Sequence, residues 1–375
     1  MINKLKKKTV NIYIYIMELQ KFIDTTEDYL SIFKKNNFKI KKYTKYNCIL
    51  VKNNYNQPLE YTNENDYWKM YCRGAIIDTH FNKVICLPPV KSVEVSEDQI
   101  DNFSDCDEIQ SLMDGTMINL FHKNNQWILS TRSEIGGYNK WNNKKSFRQM
   151  FDECCSINYD SLNKNCSYSF VMRHKENRNI AKISDNVVLL VEVYDFSNEK
   201  IRRLTIQEYP PQFLHLENIN YNEFKKGVQY LNQNYNCKGY TFKQNSKRYK
   251  ILNPLFLSIK ELKINSNNDL MNYIELRKNG NLKQYLQYFP EKSQLFNNYR
   301  NQIHELSNDL YSNYKDVHVY KTKDKKDIPY HLRPFVYEIH LNYKKTKEPT
   351  RWIDIKEYIH SLPSKKLTFS MNYIQ

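Results

Sequence analysis

The spacing of apolar residues changes period along the chain. Leu19, Phe22, Ile23, Tyr29, Leu30 and Phe33 fit a helix or a broken pair of helices. Strand-like sequence follows at Tyr46 to Val51. After an Asn-rich polar loop it returns in WKMYCRGAIID, Trp68 to Asp78. Residues 109–137, IQSLMDGTMINLFHKNNQWILSTRSEIGG, read as two strands joined by turns at Asp114-Gly115 and at Lys123-Asn124-Asn125. Met117, Asn119 and Phe121 alternate with Ile118, Leu120 and His122, the pattern of a half-buried strand leaving a sharp bend. Residues 146–156 suit a helix, VVLLVEVY (Val187 to Tyr194) a buried strand, and Glu217 to Leu231 another helix.

Past Pro254 the period becomes helical throughout. Leu282, Tyr285, Leu286 and Phe289 fall at i, i+3, i+4 and i+7 and stop at Pro290. A second stripe runs through Phe296, Tyr299, Ile303, Leu306 and Leu310. Asp327-Ile328-Pro329 breaks the pattern, Pro334 suits a first helical turn, and Trp352 to Leu362 form a helix before Pro363. The expected fold class is α+β, with a basic N-terminal extension over 1–18, a strand-rich domain over 19–256 and a helical domain over 257–375.

The N-terminal run Lys4-Leu5-Lys6-Lys7-Lys8, followed by Val10 to Met17, mimics a secretory signal, but no small-residue cleavage site follows it. Val10, Ile12, Ile14 and Ile16 alternate with Asn11, Tyr13 and Tyr15 as a strand would. Translation from Met1 and from Met17 both stay open. No run of 18 apolar residues occurs, so a membrane span is not expected.

Composition adds charge to this picture. Lys and Arg outnumber Asp and Glu by 57 to 41, a net charge of +16 that favours an anionic partner such as nucleic acid. AT-rich coding sequence would produce the same excess of Lys, Asn, Ile and Tyr, so charge alone leaves both explanations open. The eight cysteines include no Cys-x-x-Cys pair, which argues against a zinc site and for reduced thiols in an intracellular protein.

The candidate chemistry lies in a series of short motifs. Leu112-Met113-Asp114-Gly115 is preceded by Arg73-Gly74 and by VICLPPVKSVEV, which contains Lys91. After it come Ser130-Thr131-Arg132-Ser133, then SYSFVMRHKENRNI ending in Asn177-Arg178, then Lys238-Gly239-Tyr240-Thr241-Phe242, then Tyr249-Lys250-Ile251-Leu252-Asn253-Pro254. Gly74, Gly115, Gly137 and Gly239 mark these bends in a chain with 7 glycines in all. Over roughly residues 45–256 this order resembles the covalent nucleotidyltransferases, the superfamily of ATP-dependent RNA and DNA ligases and mRNA capping enzymes, and within it the bacteriophage-type RNA ligases.

The resemblance implies twisted antiparallel sheets, a C-terminal helical domain that helps choose the RNA, and a site for ATP or GTP. It implies nucleotide-binding roles for Arg73, Asp114, Gly115, Arg132 and Lys250, and nucleic-acid-binding roles for Lys91, Arg178 and Lys238. Four reactive positions depart from the family pattern. Leu112 stands for the nucleophilic lysine of Lys-x-Asp-Gly, Val171 for an acidic residue, Lys238 for a glutamate and Leu252 for a second lysine. Leu112 has no nucleophilic atom, and neither Val171 nor Lys238 offers the oxygen ligand that Mg²⁺ wants. The expectation is a catalytically degenerate RNA-ligase-like protein without catalytic residues or Mg²⁺, binding RNA ends or a nucleotide. Its rivals are an active ligase with relocated residues, Lys91, Lys123 and Lys238 being the candidate amines and Lys238 the foremost, and a scaffold subunit for a partner ligase or capping enzyme.

Overall fold

The computed structural model describes residues 18–54, 64–140, 145–198, 201–244, 247–264, 266 and 268–373. The strand expected over 10–16 and nearly all of the basic extension lie outside the described residues. The chain forms two compact units, one up to Ser258 and one from Ile259 onward.

In the first unit, α1 (Glu18–Thr25) and α2 (Tyr29–Lys35) form the broken helical pair that the apolar spacing predicts. Asp28 ends the break by capping α2, its side chain accepting the Ser31 amide. Both helices pack on an antiparallel sheet in which β1 (Phe38–Tyr43), β2 (Cys48–Asn53), β3 (Arg73–Asp78) and β4 (Lys83–Cys86) lie in sequence order. Phe22 stacks on Trp68 with ring centroids 4.1 Å apart, and Phe33, Phe38, Tyr71 and Ile77 complete that core. The β1 strand was not legible: Phe38, Ile40 and Tyr43 are diluted by three exposed lysines, Lys39, Lys41 and Lys42.

A mixed sheet has the order β5 (Val93–Glu94), β13 (Lys247–Leu252), β12 (Gly239–Gln244), β6 (Glu108–Ser111). Its register divides the side chains cleanly. Ile109, Phe242 and Ile251 share one face and pack on Phe224 and Val228 of α4 (Tyr221–Gln229). That helix starts four residues later than the apolar pattern suggested, at the Asn220 cap, whose side chain accepts the Glu223 amide. The opposite face carries Glu108 and Gln110 of β6, Thr241 and Lys243 of β12, and Arg248 and Lys250 of β13.

The third sheet is five-stranded, in the order β11 (Arg202–Arg203), β10 (Val187–Asp195), β9 (Cys166–Arg173), β7 (Thr116–Lys123), β8 (Gln126–Thr131). Asn124 and Asn125, at φ 51 and 55°, form the two-residue turn between β7 and β8. Asp114-Gly115 has a different task, because β6 and β7 belong to different sheets. The half-buried reading of β7 needs correcting. Ile118 and Leu120 face a core with Phe170 and α3 (Phe147–Cys154), while Phe121 faces another with Leu50 and Ile76, so the strand is buried on both faces. Asn119 misled the alternation: it is polar but fully buried, its Oδ1 accepting from the Ser169 hydroxyl at 2.9 Å.

The second unit continues from α5 (Pro254–Leu262), which spans the boundary, through α6 (Asp269–Lys278), α7 (Leu282–Tyr288), α8 (Ser293–His318), α9 (Arg333–Thr346), α10 (Trp352–Ser361) and α11 (Ser364–Asn372). The long α8 presents Phe296, Ile303, Leu306, Leu310 and Tyr314 inward, and α6, α9, α10 and α11 all pack on it. Among the described residues, no helix is long and apolar enough to cross a membrane. All eight cysteines are free thiols.

Candidate nucleotide and nucleic-acid site

The bend at Asp114-Gly115 is where the mixed sheet hands the chain to the five-stranded sheet. The Leu112 amide donates to the Gly239 carbonyl at 2.8 Å, which extends the β6–β12 ladder by one residue, and Gly239 lies opposite Leu252 on β13. Leu112, Gly239 and Leu252 therefore form one rung. A Cβ on Gly239, whose φ is +142°, would stand 2.0 Å from the Ile251 carbonyl oxygen, so only glycine fits there. Gly115 is constrained from the other side. A Cβ there would meet the Met172 carbonyl oxygen at 2.5 Å and Val171 Cγ1 at 2.7 Å.

Asp114 is 7% exposed and turns inward between these two contacts. Its Oδ2 accepts the amides of Ile180 and Ala181 at 2.9 and 3.1 Å, and Oδ1 lies 3.7 Å from Lys238 Nζ. The carboxylate thus ties the bend to the loop after β9 and to the start of β12. Lys238 Nζ also sits 5.7 Å above the Phe256 ring. Arg178 makes a local contact, its Nε and Nη2 donating to the Ile180 carbonyl, and Asn177 Nδ2 donates to Thr116 Oγ1 at 2.8 Å. Together Asp114, Asn177 and Arg178 hold the 174–181 loop against the bend.

Arg73, Arg132, Lys91 and Lys250 belong to a second group. Gly74, at φ +108°, brings β3 so near the turn after β8 that a Cβ would lie 2.8 Å from Arg132 Cα. Thr131 Oγ1 accepts the amides of Ser133 and Glu134 and fixes that turn. Lys250 pairs with Glu94 at 3.0 Å. Lys91 borders a crevice with Tyr67, Tyr71, Val90 and Arg248 that has room for roughly one water molecule. Burial, and then the fields of Arg73 and Lys250, push the Lys91 ammonium below its ordinary pKa. Lys123 stands apart. It closes an ion pair with Asp78 at the far end of the eight-residue β7, about 25 Å of strand from Gly115, because the strand runs straight away from the bend.

Sequence reasoning missed a buried ion network on the polar face of the mixed sheet. Lys243 Nζ lies 2.9 Å from Glu108 Oε1 and 3.3 Å from Glu192 Oε2, and Arg203 Nη1 lies 3.0 Å from Glu108 Oε2. The Tyr194 hydroxyl donates to Glu192 Oε1 at 2.6 Å. Burial alone would raise the Glu192 carboxyl. The fields of Lys243, Arg203 and Arg248, with the Tyr194 hydrogen bond, bring it down to about 2 instead. The available signal was a glutamate interrupting VVLLVEVY, a charge that a buried strand tolerates only when paired.

One group of metal-ligating type occurs among the described residues: Glu153, His174 and Glu176, whose ligand atoms lie within 4.8 Å of one another. Lys145 already supplies the cation, at 2.9 Å from Glu153 Oε2 and 2.6 Å from Glu176 Oε1. The buried His174 accepts the Glu176 amide at Nδ1, which assigns its proton to Nε2, facing Glu153 at 2.9 Å. Neither ring nitrogen is left with a lone pair for a metal.

No protein-family model matches the chain. It is 23% identical over 269 residues to the immediate-early protein ICP-46 homolog of Invertebrate iridescent virus 3, a match covering 64% of this chain and 59% of the relative's length. Among solved structures, it is similar to a putative ATP-dependent DNA ligase from Aquifex aeolicus, with 13% identity, a TM-score of 0.42, and coverage of 92% of this chain and 76% of that one. An archaeal ATP-dependent RNA ligase gives 10% identity and a TM-score of 0.46, covering 65% of each chain. The Naegleria gruberi RNA ligase K326A mutant with ATP and Mn gives 14% identity and a TM-score of 0.31, covering 44% of this chain and 54% of that one.

Proposed function

We propose that the chain is a nucleotidyltransferase-like protein that has lost covalent catalysis and binds RNA ends or a nucleotide, ATP or GTP, through Arg73, Arg132 and Lys250. The observation that carries this reading is the register around the bend. Leu112 and Leu252 share one rung with Gly239, Lys238 immediately precedes β12, and Val171 lies against Gly115. The four positions that depart from the family pattern are thus gathered at one place. They present three aliphatic side chains and one ammonium. No oxygen ligand for Mg²⁺ comes from this set, and its one amine, Lys238, lies 3.7 Å from the Asp114 carboxylate. Lys91, Arg178 and Lys238 would meet nucleic acid.

One observation favours a second reading, an active enzyme with a relocated amine. Lys91 is a depressed amine next to Arg73 and Lys250, the kind of environment that activates a lysine nucleophile. Lys238 is a weaker candidate, since Asp114 lies beside it. Incubation with α-labelled ATP or GTP and Mg²⁺, followed by denaturation, separates the readings. The expected outcome is no acid-labile, base-stable adduct. An adduct mapped to Lys91 replaces the first reading by the second. RNA gel shifts test the binding role, and their failure would leave the scaffold subunit.

A further inference from the structure

The sheet built from β1 to β4 carries three like charges in a line. Lys39 of β1 lies opposite Lys52 of β2, and Lys52 lies opposite Arg73 of β3. Directly opposed residues on neighbouring strands share a face with Cβ atoms about 5 Å apart, and like charges there destabilise the pair. Lys41, two residues on from Lys39, is on the same face and exposed.

A backbone irregularity creates this alignment. The β2 and β3 strands run in step from Cys48 opposite Asp78 to Val51 opposite Ala75, and then the partner of Lys52 becomes Arg73. Gly74 is the bulged residue, held at φ +108° against Arg132. In an unbroken register Lys52 would face Gly74, and Arg73 would point to the other side. The bulge therefore costs a ladder position and brings a third cation into line.

The neighbours of the row extend it in both directions. Burial, and then Lys41 and Lys39, depress the Lys52 ammonium, as burial, Arg73 and Lys250 depress that of Lys91. Lys52 Nζ donates to Ser133 Oγ at 2.9 Å, next to Arg132. A line of cations one residue wide, crossing three strands over about 10 Å, fits a linear polyanion better than a broad surface.

We infer that Lys39, Lys41, Lys52 and Arg73 form a track for the phosphodiester backbone of a nucleic-acid strand, which crosses β1 to β3 and reaches the candidate site at Lys91 and Lys250. This rests on the RNA-binding reading and adds to it a surface, on the first sheet, and a direction of approach.

The test is fluorescence anisotropy of the full chain with a labelled oligouridylate of about 20 nucleotides, from 50 to 300 mM KCl. The variants are Lys39→Gln/Lys41→Gln/Lys52→Gln and, as a control of equal charge, Lys344→Gln/Lys345→Gln/Lys347→Gln in the second unit. Loss of three phosphate contacts should lower the log–log salt slope by roughly 2. Affinity at 100 mM KCl should fall at least about tenfold, against less than about threefold for the control. The melting temperature of the track variant checks that it still folds, since Lys52→Gln removes both a like charge and the hydrogen bond to Ser133. Should that variant fold poorly, Lys39→Gln alone, at an exposed edge position, should lower the slope by about 0.7. Wild-type binding with equal losses in track and control variants overturns the track and leaves the RNA reading standing. No wild-type binding at 50 mM KCl overturns both.

Discussion

Lys243 and Lys52 are both lysines on β-sheets of the first unit, and burial depresses the amine of each. Their surroundings differ in sign. Lys243 is enclosed by Glu108 and Glu192, and Arg203 and Arg248 join the same carboxylates, so the cluster is balanced within the protein. Lys52 is flanked across the sheet by Lys39 and Arg73, with Lys41 nearby, and a glycine bulge holds the arrangement in register. The first pattern is what folding alone selects, since a buried charge is tolerated only with its partner. The second places like charges directly opposite one another across neighbouring strands, an arrangement that disfavours the pair.

The largest expected effect comes from breaking the balanced cluster. Glu192→Gln leaves Lys243 and Arg203 buried beside a neutral amide, and loss of one partner of such a pair costs about 3–5 kcal/mol. Urea denaturation of the full chain, followed by tryptophan fluorescence, should show it. The pH dependence gives a second readout. Because the folded Glu192 carboxyl sits at about 2, below its ordinary 4.5, its contribution is complete above pH 4.5 and drains away as the pH falls toward 2. The variant should lose that part of the acid-side slope. A stability within 1 kcal/mol of wild type would mean that the cluster is not load-sharing as its distances imply.

Gly239→Ala should rank next. It keeps all charges and alters only the rung that Leu112 and Leu252 share, where a Cβ would stand 2.0 Å from a carbonyl oxygen. Overpacking of this kind costs about 1–3 kcal/mol, and the positive φ adds strain. The same denaturation experiment checks it. An unchanged midpoint would show that β12 can slide, which would put in doubt the convergence of Leu112, Lys238 and Leu252 on which the proposed function depends.

These cases also mark what the residues alone could tell. The helical period past Pro254 was legible because it recurs over many turns, as in α8. The bends at Gly74, Gly115 and Gly239 were legible because backbone crowding leaves glycine as the residue that fits. The unread features are those in which long-range pairing decides. β1 is an edge strand whose lysines hide its period. Asn119 is a buried polar residue satisfied by Ser169, a residue fifty positions away. The ion network joins Glu108, Glu192 and Lys243 from three strands of two sheets, and no spacing along the chain encodes that meeting. Likewise the Lys39–Lys52–Arg73 row exists only once the bulge sets the register.

A smaller, stabilising change should follow from removing one of the like charges opposed across β1 and β2. Lys39→Thr replaces a like charge across from Lys52 with a β-branched residue suited to an edge strand, and cross-strand terms of this sort are worth about 0.2–1 kcal/mol. Thermal melting at low salt should show a gain that shrinks as salt is added, because screening already weakens the repulsion it removes. A loss of stability at low salt would mean that Lys39 is held by a favourable contact, and the contrast with Lys243 would fail at that strand.

The smallest effect should come from the second unit, where like charges are avoided in a third way. His318 and His340 stack with ring centroids 3.6 Å apart, beside Tyr314 and within the fields of Lys325 and Lys344. Imidazoles can shed their protons near neutral pH, and burial followed by the field of His340 brings His318 down to about 4. A base whose folded pKa lies below its unfolded value of 6.5 favours the fold while neutral. Its contribution is therefore complete above pH 6.5 and is lost as the pH falls through 4. His340→Gln removes one of the cations that His318 would face on protonation but leaves most of the burial. NMR titration of the His318 ring should then show a pKa raised from that of the wild type yet still below 6.5. Full return to 6.5 would assign the whole depression to His340 rather than to burial or the two lysines. No movement would leave the depression to burial and the fields of Lys325 and Lys344, and the stacked pair would then be a packing contact in which the charge of His340 plays no part.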